Sequence, residues 1–555
     1  MKLISIIALL TLAILSPSFA QNPGWHLQEP VKDGAMGIGL TKLYSKSLKG
    51  KASTPVVVAV IDSGVDVEHE DLADNVWVNT DEIPGNNIDD DKNGYIDDVN
   101  GWNFIGGKDG NVNNETLEVT RLYAKYRYKF ESADVKKLSK GDKKIYDKWV
   151  KWKEQVETNR ASAEASLTRM EEYETNVVRS LDAISSALDS KKPSLENLQS
   201  IEATDEAVTM GKNILLDQIS RGQEVEDIAE FKKVVLADME GGKEYYTSQA
   251  KYHYNPDFDS RQIIGDNYSD PYEKYYGNND VEGPDARHGT HVAGIIGAVR
   301  NNEIGMDGVA DNVRIMSVRT VPNGDERDKD VANAIIYAVD NGASIINMSF
   351  GKGHSWYEKV VEDAIKYAEK NDVLLVHAAG NSGQNNDIED NYPNDTYKGK
   401  GFLFFKGKTK HYKNWVEVGA LNYQNGENLS APFSNYGEKN VDLFAPGMAI
   451  YSTVPDNKYE PLQGTSMAAP VVAGVAAMLR SYYPTLTAEQ VKHILMATST
   501  KTSQSVIIPG TKGDKTPFSK LSVSGGIIDA NKALNLAKMT KGKKKIKNKA
   551  KNVRA

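Results

Sequence analysis

The sequence predicts an α/β fold, namely a doubly wound and mostly parallel sheet with helices on both faces, interrupted by an all-α inserted helical arm. Two observations support this prediction. Short runs of continuously apolar, β-branched residues alternate with helical patterns, as expected for strands that are buried on both faces of a parallel sheet. Between the first run and the later ones lies a long polar stretch whose apolar residues recur with a helical period.

The composition is that of a globular chain with enough apolar material for a large core. The chain has 555 residues, of which 40% are apolar and 26% are charged, and its formal net charge is -9. Cysteine is absent, which excludes disulfides, thiolate metal sites and a cysteine nucleophile. The acidic balance argues against nucleic acid as a partner, and we interpret the basic residues 540–555 as a solvated, disordered tail.

Residues 1–20 predict export. Lys2 precedes an apolar run from Leu3 to Leu15 and the small-residue segment SPSFA, which is the pattern of a secretory signal peptide cleaved after Ala20. The run is too short to span a bilayer, and the later apolar runs are shorter still. We therefore expect a periplasmic or extracellular protein without a membrane span.

The strands of the predicted sheet begin with the segment PVVVAVI at residues 55–61. Comparable apolar runs follow at 313–318, 343–350 and 373–379, and amphipathic helical patterns separate them. In sheets of this kind ligands bind beyond the carboxyl ends of the strands. We therefore look for functional side chains directly after each run.

The inserted arm is predicted at residues 117–252, between a first part of the α/β domain at 21–116 and a second part at 253–539. Apolar residues from Ile145 to Leu188 recur mostly at steps of three, four or seven, which predicts a long amphipathic helix that Pro193 ends. Shorter helices should follow from Ser194. The arm is either a helical hairpin that packs on itself or on the main domain, or a regulatory or partner-binding arm.

Three motifs together supply what a serine nucleophile requires. A serine hydroxyl needs a base to remove its proton, and the base needs an anion that fixes its tautomer. Asp62 ends the first buried strand, His288 stands in HGTHVAG and Ser466 in GTSMAAP, each of the latter two before a helix rich in small residues. Asn381, in AAGNSG after another strand, can donate a hydrogen bond to a developing oxyanion.

The blocks AVIDSGVD, HGTHVAG, INMSFG, AAGNSG and GTSMAAP, in that order, closely resemble the signature blocks of the subtilisin-like serine proteases, the subtilases. The order Asp, His, Ser along the chain is also that of subtilisin. The resemblance covers about residues 56–103 and 257–536 and leaves out the helical arm. It implies an exported serine endopeptidase that hydrolyses peptide bonds through an acyl-enzyme, with protein or peptide substrates and no cofactor for catalysis.

Carried over to this sequence, the resemblance implies Asp62 as the orienting carboxylate, His288 as general base and then acid, Ser466 as nucleophile and Asn381 as oxyanion donor. It also implies substrate-binding residues in two segments. The first segment would line the subsites that precede the cleaved bond, and the second would form one wall of the primary specificity pocket: Ser349, Phe350 and Gly351, and Ala379 with Gly380. An alternative for Phe350 is that it fills the core.

The loop NNIDDDKNGYIDD resembles a calcium loop, with oxygen ligands at alternate positions and Gly94 at the sharp turn. The expected ligands are Asp89, Asp91, Asn93, Tyr95 and Asp97. The alternative is a surface turn rich in Asn and Asp. Calcium bound here would be structural and not catalytic.

Three alternatives to a general endopeptidase arise from the sequence. One is a processing enzyme of narrow specificity whose helical arm restricts access to the cleft; the arm itself is expected to act either as a folding aid or as a gate over the cleft. Another is a protease-like scaffold whose functional part is the arm, although all four catalytic side chains are present. The third, a serine peptidase with Glu in place of His, conflicts with the motif HGTHVAG.

Overall fold

A computed structural model describes residues 23–30, 34–202, 205–398 and 409–544. The predicted signal peptide, 1–20, and residues 545–555 of the basic tail lie outside the described residues. The chain divides into two compact units, which we name the sheet unit (1–113 and 261–555) and the helical unit (114–260).

The helical unit extends beyond the predicted arm, 117–252, at both ends. Its closing contacts join residues that are far apart in the sequence, since the backbone N–H of Leu117 donates to the carbonyl of His253 at 3.0 Å. The Thr120 hydroxyl donates to the same carbonyl at 2.7 Å, and Ser260 is hydrogen-bonded to Glu115. Residues 253–260 therefore pack with the start of the helical unit, although their sequence resembles that of a loop.

The described strands are short or of medium length and lie in the sheet unit. They are β1 (Val56–Asp62), β2 (Gly101–Asn103), β3 (Gly106–Gly107), β4 (Gly110–Asn111), β5 (Val313–Arg319), β6 (Ile345–Met348), β7 (Leu374–Ala378), β8 (Thr396–Lys398), β9 (Thr409–His411), β10 (Trp415–Leu421), β11 (Leu443–Pro446), β12 (Ile450–Val454), β13 (Lys458–Leu462), β14 (Thr500–Lys501), β15 (Ser505–Ile507), β16 (Lys515–Pro517) and β17 (Gly526–Ile527).

The described α-helices fall into both units. They are α1 (Leu40–Lys42), α2 (Glu118–Phe130), α3 (Lys140–Leu188), α4 (Leu195–Ser200), α5 (Glu206–Ser220), α6 (Ile228–Ser248), α7 (Arg261–Ile264), α8 (Arg287–Gly297), α9 (Asp328–Asp340), α10 (Glu358–Lys370), α11 (Thr465–Tyr482), α12 (Ala488–Thr498) and α13 (Ala530–Met539). Short 3₁₀ and π turns add Trp25–Leu27, Leu43–Ser47, Ala73–Asn75, Val135–Lys137, Gln249–His253, Gly426–Asn428 and Phe518–Lys520.

One sheet of nine strands organises the described part of the sheet unit, in the order β14, β17, β11, β10, β7, β6, β1, β5, β2. Every neighbouring pair is parallel except β14 with β17. In the sheet, β1 lies between β5 on one side and β6 on the other. Along the chain, β5 is followed by β6, so the direction of winding reverses at β1. The carboxyl ends of β1, β5 and β6 therefore flank the switch point, where such sheets form their binding crevice.

Strand β1 is apolar on both faces because helices cover both faces of the sheet. Val58 and Val60 join the core that contains side chains of α8 and α11, whereas Ala59 and Ile61 join the core that contains side chains of α9 and α10. This is the doubly wound arrangement that the continuous apolar runs predict.

The helical unit is built on α3, whose 49 residues include the predicted amphipathic stretch. Val177, Leu181 and Ile184 form one buried cluster with side chains of α5 and α6, and Trp149 belongs to a second cluster with side chains of α2. The prediction that Pro193 ends this helix is wrong. Helix α3 ends at Leu188, where the next residue, Asp189, turns into the left-handed conformation with φ +46°.

The first residues of the predicted disordered tail are ordered. After α13, the backbone N–H of Lys544 donates to the carbonyl of Thr485 at 2.9 Å, and its ammonium group lies 3.2 Å from the carboxylate of Asp372. The tail therefore remains attached to the sheet unit up to Lys544, because a specific ion pair and backbone contacts hold it there. Across the described residues no helix combines the length and the apolar character needed to cross a membrane.

Candidate active site

Asp62 is the last residue of β1 and lies at the switch point of the sheet. Its side chain is 1% exposed, so the carboxylate requires partners. One carboxylate oxygen, Oδ1, accepts a hydrogen bond from Nδ1 of His288 at 2.6 Å and another from the backbone N–H of Ser63 at 2.8 Å. The Asp62 carbonyl accepts the N–H groups of Thr320 and Val321 at 2.8 and 3.1 Å. These contacts fix both the backbone and the side chain of Asp62.

His288 is the second residue of α8 and is oriented by Asp62. Because a carboxylate only accepts hydrogen bonds, Nδ1 of His288 must carry the proton and Nε2 is the basic nitrogen. Burial acts to lower the pKa of His288, but the charge and the hydrogen bond of Asp62 outweigh it and raise the pKa. The imidazole is 39% exposed, so Nε2 is within reach of a reactant.

The close approach of α8 to β1 depends on glycine. A Cβ atom on Gly289 would lie 2.0 Å from the carbonyl oxygen of Gly64 and 3.1 Å from Cβ of Asp62. Any larger residue would push the helix, and with it His288, away from Asp62. The contact between α8 and β1 therefore requires a residue without a side chain at Gly289, in the motif HGTHVAG.

Ser466 is the second residue of α11, whose N-cap residue is Gly464. Its hydroxyl donates to the carbonyl of Ser349 at 3.1 Å, and the Ser349 hydroxyl donates to the Ser466 carbonyl at 2.9 Å. Among the described residues no hydrogen bond joins Ser466 to His288. As the second residue of a helix, Ser466 also has a backbone N–H that no intrahelical carbonyl accepts.

Asn381 faces the start of α11. Its side-chain oxygen accepts the backbone N–H of Thr465 at 2.8 Å and the Thr465 hydroxyl at 2.9 Å. A backbone N–H can only donate, so the Asn381 oxygen must face Thr465, and the NH₂ group points elsewhere. A Cβ on Gly464 would lie 3.4 Å from Nδ2 of Asn381 and 3.5 Å from N of Ser466. Two donors, Nδ2 of Asn381 and the N–H of Ser466, thus border one small space.

The predicted substrate-binding residues lie at this same edge, but they differ in exposure. Ser349 and Ala379 are buried, Phe350 and Gly380 are half-buried and Gly351 is exposed. The side chain of Ala379 belongs to an apolar core cluster, so only its backbone can face a pocket. Phe350 packs partly against the core, and its ring lies edge-on to the ring of His377, with 6.2 Å between the ring centres. This agrees with the alternative that Phe350 fills the core.

The acidic loop brings together a different set of carboxylates from the predicted one. Oxygens of Glu82, Asp91 and Asp98 lie within 4.8 Å of one another. The carboxylates of Asp89 and Asp97 accept backbone N–H groups of the loop instead, at 2.9 to 3.3 Å. Of the other predicted ligands, Asn93 lies beside the cluster, where its amide donates to Asp91 and Asp98, and Tyr95 is buried.

Some residues of the site carry no signal in the sequence. Thr465 orients Asn381 and would pass for an ordinary helix-start residue. Glu82 belongs to the acidic cluster although it lies nine positions before Asp91 in the sequence. The ligand spacing of a calcium loop does not include that position. Burial raises the pKa of Asp98 to about 6. Because this shift arises only in the folded protein, the sequence does not indicate it.

An aspartate–histidine pair and a serine at a helix start, all at the carboxyl edge of a doubly wound sheet, are the groups that the class of serine hydrolases requires. Comparison with known proteins narrows this class. Residues 53–518 match the family model Peptidase_S8, described as the subtilase family, and the chain belongs to that family. The membership in the subtilases that the sequence motifs predict is thereby confirmed.

Relatives of known activity align with parts of the chain. A thermophilic serine proteinase of Bacillus sp. (strain AK1) is 39% identical over 229 residues, which are 41% of this chain and 49% of that protein. Subtilisin DY of Bacillus licheniformis is 36% identical over 219 residues, 39% of this chain and 72% of that protein. The first match thus spans about half of its relative. A solved protease of Pseudoalteromonas arctica PAMC 21717 covers 47% of this chain and 78% of its own, with 29% identity and a TM-score of 0.37.

Proposed function

We propose that the protein is an exported serine endopeptidase in which Asp62, His288 and Ser466 act as a triad and Asn381 as the oxyanion donor. The observation that carries the proposal is the 2.6 Å hydrogen bond between Asp62 Oδ1 and His288 Nδ1, which leaves Nε2 as the base at the edge where Ser466 lies. The activities of the relatives support the reaction class.

In the proposed acylation step, the Ser466 hydroxyl turns from the Ser349 carbonyl to Nε2 of His288. Nε2 removes the hydroxyl proton while Oγ attacks the scissile carbonyl, and Asp62 stabilises the imidazolium that forms. The oxyanion receives hydrogen bonds from Nδ2 of Asn381 and from the N–H of Ser466, at the positive end of the α11 dipole. His288 then protonates the leaving amine.

In deacylation the same groups act on water. Nε2 of His288 removes a proton from the water that attacks the acyl-enzyme, and it returns that proton to Ser466 Oγ as the second product leaves. Because Asp62 raises the pKa of His288, the base becomes protonated at a higher pH than an isolated buried imidazole would. We expect activity to fall as the pH falls through that raised pKa.

Labelling with a fluorophosphonate probe tests the proposal. The wild-type protein should react covalently, and Ser466→Ala should not. Ser349→Ala, which removes the hydroxyl that contacts the Ser466 carbonyl, is the matched control and should still be labelled. No reaction of the folded, purified wild type would contradict the endopeptidase and favour the scaffold.

We also propose a structural calcium ion in the acidic loop. Glu82, Asp91 and Asp98 fit a divalent cation because three carboxylates converge there, and hard oxygen ligands suit calcium. Calcium should raise the midpoint of thermal unfolding of the wild type, and Asp98→Asn should reduce that increase. Asp89→Asn is the control, since its carboxylate accepts backbone N–H groups. An increase that only Asp89→Asn abolishes would favour the ligand set expected from the sequence.

For export, we propose that residues 1–20 act as the signal peptide, and N-terminal sequencing of the secreted protein should begin at Gln21. For the helical unit, we propose a role as a gate or folding aid, supported by its separate buried clusters. Deletion of residues 114–260 should then change the ratio of protein cleavage to peptide cleavage, or reduce the yield of folded enzyme. A well-folded deletion variant with both cleavage rates unchanged would contradict this role.

A further inference from the structure

Five lysines lie on one exposed side of the first turns of α3. Each is three or four residues from its neighbours in the set, as residues on one side of a helix are, and Trp149, on the opposite side, is 3% exposed. The five residues are exposed, and within the described residues none of them forms an ion pair. We name this surface the lysine face: Lys140, Lys143, Lys144, Lys148 and Lys151.

The carboxylates near the lysine face do not neutralise it. Asp142 is paired with Lys129 of α2 at 2.6 Å, which leaves Asp147 as the acidic side chain among the five lysines. Residues 136–151 contain seven lysines and two aspartates, a net charge of +5, so the rest of the chain carries -14 (-9 minus 5). The lysine face is therefore a basic surface on an acidic protein.

The charges of the lysine face are unfavourable for α3 itself. Lys144 is four residues from both Lys140 and Lys148, and like charges at that spacing repel each other on a helix. The face also starts at the first residue of α3, where the helix dipole is positive and a cation is disfavoured. Further along α3 the same spacing holds opposite charges, as in the ion pair of Arg160 with Glu164. An anionic partner would remove both unfavourable effects, and sequences that break local rules commonly do so at functional sites.

The lysine face suits a flat layer of negative charge. It extends over about 17 Å of a continuous helix, from Lys140 to Lys151, and lysine ammonium groups are compact point charges on flexible stems. Residues 136–151 contain no arginine, the residue that binds single phosphates and bases in a bidentate manner. Anionic lipid headgroups form such a layer, and each lysine near it strengthens the attraction.

Contact with a bilayer would be electrostatic and would not require insertion. Trp149 and Val156 of α3 are buried in a cluster with side chains of α2, so they are not available to the acyl chains of a lipid. The acidic remainder of the chain would be repelled by the same anionic surface. This repulsion would turn the lysine face towards the membrane.

We propose that the lysine face binds the surface of an anionic phospholipid bilayer and holds this protein there as a peripheral membrane protein. The catalytic residues take no part in this binding, so the inference does not depend on the proposed function. It gives the helical unit a second role beside that of a gate or folding aid.

Co-sedimentation of the purified protein with lipid vesicles tests the inference. The wild type should sediment with vesicles made of equal parts of phosphatidylglycerol and phosphatidylcholine, and not with vesicles of phosphatidylcholine alone. Each lysine near an anionic surface contributes about 5-fold to binding, so the triple variant Lys140→Glu, Lys144→Glu and Lys148→Glu should bind about 100-fold more weakly or less. Glutamate near the start of a helix is favourable, so this variant should keep α3 folded.

The matched control is the triple variant Lys46→Glu, Lys49→Glu and Lys51→Glu. These lysines are exposed in the sheet unit, and their replacement changes the net charge of the protein by the same amount. The control should bind the anionic vesicles nearly as well as the wild type. Circular dichroism and fluorophosphonate labelling should be the same in both triple variants as in the wild type.

Ionic strength and a competitor complete the test. Raising the ionic strength from about 0.1 M to about 1 M shortens the Debye length from about 10 to about 3 Å and should release the wild type from the vesicles. Equal sedimentation with neutral vesicles, or an equal loss of binding in both triple variants, would overturn the inference. Displacement from the vesicles by duplex DNA at the same phosphate concentration would also overturn it, in favour of nucleic acid as the partner. In each of these cases fluorophosphonate labelling would persist, and the proposed function would stand.

Discussion

The sheet unit and the helical unit differ in what they bury. The sheet unit encloses charged groups: Asp62 and Arg319 are each 1% exposed and occupy paired positions on β1 and β5. Arg319 donates to the carbonyls of Ser63 and Val112 and to the side chain of Asn103, at 2.6 to 3.1 Å. Its guanidinium therefore holds the backbone beside Asp62. The same polar network thus supports the fold and positions Asp62.

The helical unit buries an apolar stripe along α3, and it also buries Glu115, Glu118 and Arg121, which are paired with one another. Leu181 and Ile184 are fully buried, whereas most charged side chains of this helix are exposed. Contacts between helices, together with hydrogen bonds that close the unit, such as that from Leu117 to His253, stabilise this unit. The comparison shows that the helical unit pairs its buried charges with one another, whereas Asp62 in the sheet unit is paired with His288 at the proposed site. Substitutions in the sheet unit should therefore change catalysis and acid stability, and those in the helical unit should change local stability.

The largest effect is expected for Asp62→Asn. An amide at this position would favour the wrong tautomer of His288, and we expect kcat to fall about 10⁴-fold, as in triads of this kind. Loss of the carboxylate also removes the cause of the raised pKa of His288, so the acid limb of kcat/KM should move to lower pH. Rate measurements across pH check both effects. An acid limb that stays in place would show that Asp62 does not set the pKa of His288.

The corresponding test in the helical unit is Leu181→Ala. Deletion of this fully buried side chain should destabilise its cluster by about 2–5 kcal/mol. Amide hydrogen exchange should show lost protection in α3, α5 and α6 and unchanged protection in β1. Leu195→Ala, at a side chain that is 49% exposed in the same unit, is the control and should have little effect. An equal loss of protection in β1 would mean that the two units unfold together.

We expect acid to destabilise the sheet unit through the protonation of His26. Burial, followed by the charges of His291 and Arg300, lowers the pKa of His26 to about 3. A depressed histidine pKa means that the unfolded chain takes up the proton first, so the contribution of His26 to stability is constant above about pH 6.5 and falls as the pH decreases towards 3. His26→Leu should flatten this decline by up to about 1.4 kcal/mol per pH unit in denaturant titrations.

The control for the acid titration is His493→Leu, because His493 is exposed on α12 and its replacement should leave the slope unchanged. The same slope in His26→Leu as in the wild type would contradict the assignment of the acid effect to His26.

The smallest effect is expected at the start of α3. Ser139 caps the helix by accepting the N–H of Asp142 at 3.1 Å, and Ser139→Ala should cost about 1 kcal/mol. Faster amide exchange confined to the first turn would show this loss. Ser186→Ala, on the same helix but away from its start, should change the exchange little, and an equal change in both variants would exclude a capping effect.

Sequence reasoning reached the fold class and the family because the relevant signals are local. The apolar run of β1 and the small residues around His288 and Ser466 can each be interpreted within a few positions. The contribution of Thr465 could not be predicted, because it depends on Asn381, which the fold brings opposite to it. The same reason explains the boundary at residue 260, since Ser260 contacts Glu115. Glu82 could not be predicted because it lies outside the ligand spacing of a calcium loop.

The position of β1 in the sheet has a consequence during synthesis. Its neighbour β5 begins 251 residues after Asp62 (313 minus 62), so β1 is made long before either of its partners exists. At about 5–20 residues per second, the ribosome would need roughly 13 to 50 seconds to produce the residues between them. During that time the apolar strand has no pairing edge within the sheet unit, whereas the helical unit, complete at residue 260, already has all of its own contacts available.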